Sequence, residues 1–309
     1  MNENLPFVIQ DAPTSMIASL FRPSPIGLCQ LAFCLLATAA SAQSWTSSLT
    51  RTSAGPLQVP ACVLEYELGW KNTLKAGTAR ITIQEAGSSY WRASAQASST
   101  GFARTLWAYD CTMSSIISKN SLKPVFMQHS ETDRSETCRY RVSFQPRRVI
   151  TESTTLPRSG TASTGTTTLA FSPVEDLLCT ILYVRSLPLA NGDKITRVVQ
   201  PWDKPYLTTF EVQGRESIKI GGKAQPCIKL GVQIRKIDRD NLSLSSYKKM
   251  KTATIWVSDD AERLPVEMRA EIFVGYMSCR LTNKTLLTGK AARASVPSSA
   301  SMYVKPPTP

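Results

Sequence analysis

The ionisable and nucleophilic side chains bound what this chain can do, and the first bound is histidine: the 309 residues contain one, His129. It sits near the end of a strand-like run, Pro124 to Ser130. One imidazole can act as a general acid or base. A multi-histidine metal site is excluded, and the Gly-x-Ser-x-Gly elbow that would accompany a hydrolase histidine is absent. The expected role of His129 is structural. Asp259 and Asp260 are adjacent carboxylates, with Glu262 and Arg263 close behind. Converging carboxylates could hold a cation or run acid–base chemistry. Neighbours on an extended strand point to opposite faces, however, and Asp accepts backbone hydrogen bonds in tight turns. A hairpin turn neutralised by Arg263 is the expected reading. Trp256 is expected as a core or rim aromatic rather than a sugar platform. Tyr183 and Arg185 share a helical segment and could face a cavity, with Arg185 pairing with Asp176 or Asp193. The candidate ligand-binding set is therefore Tyr183, Arg185, Trp256, Asp259, Asp260 and Arg263, with no catalytic residue, metal ligand or cofactor assigned.

The elements that must position these groups are mostly strands. In Cys62–Trp70 the residues Leu64, Tyr66, Leu68 and Trp70 fall on one parity, and Val63, Glu65, Glu67 and Gly69 on the other. That period of two marks a strand with one face on a core. Similar runs recur at Gly77–Glu85, Tyr90–Ala97, Thr105–Cys111, Met113–Lys119, Val125–Ser130, Cys138–Phe144 and Arg148–Thr154. They resume at Asp193–Gln200, Tyr206–Val212, Glu216–Ile220, Lys223–Lys236, Thr252–Ser258, Leu264–Ile272 and Gly275–Thr282. Many short strands at regular spacing predict a mainly β fold, an antiparallel β-barrel or a half-barrel or sandwich. One short helix is expected from Ser172 to Leu187, with Ser172 as cap, Pro173 in the first turn and Glu175 completing the box. The small, low-complexity stretch 157–170 reads as a flexible surface loop. Gly221-Gly222 reads as a strand break or bulge.

The N-terminus places the fold outside the cytoplasm. The apolar run from Ile26 is too short to span a bilayer stably, and it ends in Ala40-Ser41-Ala42, the small residues that a signal peptidase accepts. Residues 1–42 are expected to be a signal peptide, with Met16 a better start than Met1. Cys29 follows Leu28 and Cys34 follows Phe33, too bulky for lipid attachment. Residues 43–60 read as a flexible leader, 61–285 as one β-rich domain and 286–309 as a disordered tail, with no transmembrane segment after cleavage. Of eight cysteines, six remain after the signal, with no CxxC spacing. Disulfides are permitted but their connectivity is open. The formal net charge of +13 suits anionic lipid or glycan. No nucleic-acid-binding motif accompanies it.

Three stretches in order carry a resemblance: LEYELGWKNTLKAGTARITI (64–83), PVEDLLCTILYVRSLPLANGDKITRVV (173–199) and TIWVSDDAERLPVEMRAEIFVGYMSCRLT (254–282). Together they resemble the exported bacterial family catalogued as domain of unknown function 3108. The resemblance implies an envelope β-barrel-like domain and brings no activity with it. The leading expectation is a non-catalytic exported envelope protein that binds an amphiphilic ligand or polysaccharide in or on its barrel. The alternatives are a scaffold or assembly factor engaging an envelope protein, and a carboxylate-dependent hydrolase of envelope polymers using Asp259, Asp260 or Glu262.

Overall fold

Alternation becomes burial in the middle of the first strand, where Leu64 and Tyr66 are buried, Glu65 is half-buried and Glu67 is exposed; at its start Cys62 and Val63 are both buried. The computed structural model describes residues 44–55, 60–248, 252–272 and 275–303, all within the compact unit Ala42–Pro309. The expected signal peptide lies outside the described residues, as do residues 56–59 of the leader and the last six of the tail.

The first half of the fold is a meander of eight strands: β1 (Cys62–Trp70), β2 (Leu74–Ala86), β3 (Tyr90–Ser99), β4 (Asp110–Ser118), β5 (Pro124–Thr132), β6 (Glu136–Gln145), β7 (Arg148–Pro157) and β8 (Ser163–Leu169). The second half contains β9 (Lys194–Val199), β10 (Tyr206–Ile220), β11 (Lys223–Ile237), the short β12 (Leu244–Ser246), β13 (Thr252–Ser258), β14 (Pro265–Ile272) and β15 (Gly275–Leu286). Every pairing is antiparallel, and β1 joins the halves by pairing with β15. The order runs β8-β7-β6-β5-β4-β3-β2-β1-β15-β14-β13-β11-β10-β9, with β12 beside β11. Edges β8 and β9 are not hydrogen-bonded to each other, so the barrel-like sheet is open. Register shifts at Glu65/Tyr66, Leu68/Gly69 and Val212/Gly214 are the bulges that let long strands curl. Gly77 has a different job: a Cβ there would meet the Ser98 carbonyl oxygen at 2.3 Å, so only glycine lets β2 lie against β3.

The concave interior is partly filled by the helix Leu177–Arg185. Leu178, Cys179 and Leu182 pack in one core with Leu64, Tyr66, Ile117 and Met127. Tyr183 and Val184 pack in a second core with Phe210, Ile228 and Leu230. The helix starts later than Ser172. Its cap is Asp176, whose carboxylate accepts from the Cys179 N–H at 2.8 Å and from the Ser115 hydroxyl. Burial raises the Asp176 pKa to about 6 against those hydrogen bonds. Glu175 explains the delay. Its N–H donates to the Val198 carbonyl and its own carbonyl accepts from Gln200, so it is extended against β9. Its carboxylate pairs with Arg197.

Five further segments differ from their expected states. Ser163–Leu169, inside the expected flexible loop, pairs with β7 as an edge strand; its threonines are β-branched and suit a pleated surface. Gly101–Leu106, overlapping the expected strand Thr105–Cys111, is a short helix, α1; the long helix is therefore α2. Arg104 of α1 reaches both Asp110 carboxylate oxygens at 3.0 and 2.7 Å, which fastens the turn to the start of β4. Gly221-Gly222, at φ 55° and 81°, is the turn joining β10 to β11 rather than a break. The leader is tied down: Thr50 N–H donates to Thr196, and Trp45 Nε1–H to Leu242. In the tail, Arg293 bridges Glu85, and Met302, on α3 (Ser299–Met302), packs against Phe126 and Ile150. The six cysteines from Cys62 to Cys279 are free thiols.

Candidate ligand cavity

Of the residues singled out by chemistry, Arg185, Asp260 and Arg263 meet where α2 terminates. Arg185 is buried and donates to the Glu262 carbonyl oxygen at 3.1 and 2.6 Å, not to Asp176 or Asp193. Burial holds its pKa below the usual guanidinium value. Asp193 instead accepts from the Ala190 N–H in the turn before β9. Arg263 donates to the carbonyls of Arg185 and Pro188. Asp260 accepts from the Ser258 hydroxyl and from the N–H groups of Glu262 and Arg263, as an Asp does in a tight turn. Asp259 pairs with Arg215, and Glu262 with Lys284. Trp256 is buried; its indole N–H reaches Glu216 at 2.6 Å and its ring lies under Arg269 at 4.6 Å. Tyr183 donates to the Thr52 carbonyl and carries Arg197 over its ring at 4.3 Å. Arg185 and Arg263 latch the hairpin between β13 and β14 onto the end of α2, whereas Tyr183 is held by the leader and Trp256 by β10. Each of the three carboxylates at 259, 260 and 262 has its own partners.

The opposite end of the interior, beside the start of α2, holds a cavity of about 530 Å³. Its origin is geometric. A barrel of about eight strands is filled by its own side chains, whereas more strands leave room inside. Here fourteen strands lie in one continuous path, and α2 occupies only part of the space. Leu177 and Ile181 form the helix side of the cavity, Phe210, Val232 and Ile255 one strand wall, and Met268 and Met277 another. Trp107, Tyr109, Trp202 and Tyr206 stand around the same space. None of the six candidate residues lines it. The lining is hydrocarbon and aromatic with few polar groups, and the volume falls in the ordinary range for small-molecule sites.

Behind Tyr109 and Trp202 lies a polar cluster that the sequence reading missed. Trp202 stacks on His129 with centroids 5.4 Å apart. Cys111 Sγ is 3.9 Å from His129 Nδ1, and Glu131 Oε2 is 3.7 Å from Nε2. Tyr109 donates to Glu131 at 3.1 Å. The signal was the register: His129 and Glu131 share a strand parity, and Cys111 is directly opposite Glu131 on β4. Cys111 and Glu131 sit on opposite ring nitrogens, so the cluster does not converge on one point. Among the described residues no three metal-ligating side chains are placed to hold a metal ion together. Burial disfavours the imidazolium, but Cys111 and Glu131 more than offset it and hold the His129 pKa at about 9. The histidine in turn lowers the Glu131 pKa.

A pH dependence follows. A histidine raised above its unfolded value of about 6.5 stabilises fully below that pH, and the contribution is lost as pH rises through about 9. Wild-type stability is expected to fall by about 2–3 kcal/mol more than that of His129→Gln between pH 6.5 and 9. Urea titrations of both proteins across that range measure it; parallel profiles would refute a charged His129.

The sequence matches the family model described as protein of unknown function (DUF3108) over residues 65–282. No curated protein matches. Among solved structures, the chain is similar to a β-barrel-like protein of domain of unknown function DUF1849 from Brucella abortus, at 7% identity and TM-score 0.49, covering 75% of this chain and 100% of that one. It is similar to a protein with YmcC-like fold from Bacteroides fragilis at 9% identity and TM-score 0.30, covering 75% and 99%. The hypothetical lipoprotein YmcC from Escherichia coli has 10% identity and TM-score 0.28, covering 86% and 100%.

Proposed function

We propose, from the premise that the chain belongs to the DUF3108 family, that it is an exported, non-catalytic envelope protein whose open barrel holds the hydrocarbon part of an amphiphile. The observation that carries this is the apolar cavity of about 530 Å³ at one end of the sheet. An empty apolar space costs the fold dispersion contacts along its whole lining. A hydrocarbon chain restores those contacts and leaves no polar group unpaired. A polysaccharide fits less well, because its hydroxyls would lose water without gaining partners. Trp256, the aromatic considered as a sugar platform, already has its ring under Arg269. Export is supported by the apolar run ending in Ala40-Ser41-Ala42. No helix among the described residues is long and apolar enough to cross a membrane. The net charge of +13 favours an anionic headgroup.

The test is extraction and mass spectrometry of protein exported through its own leader and purified without detergent, together with titration by a fluorescent long-chain fatty acid. The expected result is near-stoichiometric acyl-containing amphiphile, displaced by the probe with saturable binding. Protein that carries no such lipid and shows no saturable probe binding would overturn the reading.

A further inference from the structure

Phe102, Leu106 and Trp107 are 67%, 66% and 53% exposed. Isolated apolar side chains on a surface need no explanation, but three large ones within six residues mark an interaction site. They are held outward by a fixed element. Arg104 clamps α1 to Asp110, the Trp107 N–H closes on the Ala103 carbonyl at 2.7 Å, and the Arg134 guanidinium donates to the Thr105 carbonyl. Arg134 forms no ion pair among the described residues, so an uncompensated cation stands beside the apolar side chains.

The patch is continuous with the cavity. Trp107 is half exposed and also lines the cavity, stacking on Tyr109, another lining residue, with centroids 4.9 Å apart. Leu177, across the same space on α2, is 42% exposed. Trp107 and Leu177 are thus cavity-lining side chains that also reach solvent, and Phe102 and Leu106 precede Trp107 on the same exposed segment.

We propose that α1 is a membrane-docking element. Phe102, Leu106 and Trp107 insert at the boundary between headgroups and acyl chains of an anionic lipid surface, Arg134 meets lipid phosphate, and the cavity opens onto the bilayer. Tryptophan and other large apolar side chains flanked by arginine are the composition of interfacial anchors. Basic charge adds electrostatic attraction to anionic lipid. Continuity with the cavity favours a bilayer over a protein groove, because a hydrocarbon chain can then pass between membrane and cavity without crossing water. The proposal rests on the cavity holding an amphiphile, and its test separates the two.

Flotation with vesicles of phosphatidylcholine alone, or with added phosphatidylglycerol, is measured for the wild-type mature chain, Phe102→Ser/Leu106→Ser and Arg134→Gln. The double variant leaves out Trp107 and touches no cavity-lining residue, so binding of the soluble fatty-acid probe reports the cavity independently. The wild type is expected to float with the anionic vesicles and to be released by salt. The double variant should bind them at least tenfold more weakly and Arg134→Gln a few-fold more weakly, both with probe binding unchanged. Brominated lipid should quench wild-type tryptophan fluorescence. Equal flotation of the wild type and the double variant would overturn the proposal. So would absence of wild-type flotation, the outcome expected if the patch docks a protein. Vesicle binding that depends on α1 without probe binding would sustain the docking surface and sink the cavity reading.

Discussion

Replacing Arg197 with leucine is expected to lower the free energy of unfolding by about 3–5 kcal/mol, the cost of breaking a buried ion pair from one side. Glu175 is 1% exposed and its carboxylate pairs with Arg197. Arg197 also donates to the Thr50 carbonyl at 2.7 Å and lies over the Tyr183 ring. One guanidinium thus fastens the leader, the start of α2 and β9 together. Burial already raises the Glu175 pKa against the pull of Arg197. Without the arginine only the Thr180 hydroxyl and the more distant Lys123 oppose burial, and the carboxylate is pushed further toward its protonated form. The loss in Arg197→Leu should therefore be smaller at acid pH and grow as pH rises. Glu175→Leu/Arg197→Leu removes both charges and should recover at least half of the loss, since a buried pair can often be exchanged for apolar groups at little cost. Urea denaturation of the three proteins at pH 5 and pH 8 checks this. A single-variant loss below about 1 kcal/mol at pH 8, the range of a solvated surface pair, would refute the account.

The open antiparallel barrel was legible because alternation is a local property. The parity of Leu64 and Tyr66 against Glu65 and Glu67 identifies a strand with one buried face whatever it pairs with. What could not be read depended on partners distant in sequence. Ser172 is as good a cap as Asp176 by composition; the choice falls to Asp176 because Glu175 is extended against β9, more than twenty residues downstream. The strand Ser163–Leu169 was hidden because its small polar residues have no apolar parity, and only pairing with β7 organises them. In α1 the sequence Gly-Phe-Ala-Arg-Thr-Leu gives too short a window for helical periodicity to register. Tyr183, Arg185, Trp256, Asp259, Asp260 and Arg263 drew attention by chemical type, and the structure gives each a structural partner: Arg185 and Arg263 tie the hairpin to α2, Asp260 orders its turn, and the others bind the leader or β10. The cavity is lined by Phe210, Val232 and Ile255, whose pattern is that of any core strand. Sequence does not distinguish an apolar side chain that meets another from one that meets open space, because the difference lies in how many strands curl around how much filling.

Filling that space should abolish amphiphile binding while leaving the fold intact. Ala97 on β3 and Ala253 on β13 are two of the four alanines that line the cavity. In a packed core, enlarging an alanine to tryptophan would force its neighbours apart, at a typical cost of about 1–3 kcal/mol or more. Here the added ring enters a cavity of about 530 Å³, so it gains contacts instead of displacing them. Ala97→Trp/Ala253→Trp is expected to keep or raise the unfolding midpoint in urea. It should also weaken the fluorescent fatty acid by more than tenfold, which corresponds to about 1.4 kcal/mol or more. The control is Asp259→Asn at the latched end, which loses the exposed pair with Arg215 and should leave probe affinity unchanged. The combination discriminates because the two readings of the cavity predict the same gain in stability but different affinities. If the space is a packing defect with no occupant, filling it stabilises the protein and probe binding, if present, lies elsewhere and survives. If the space holds the ligand, the gain in stability and the loss of affinity arrive together. Unchanged affinity in a stable double variant would remove the cavity from the function of this chain.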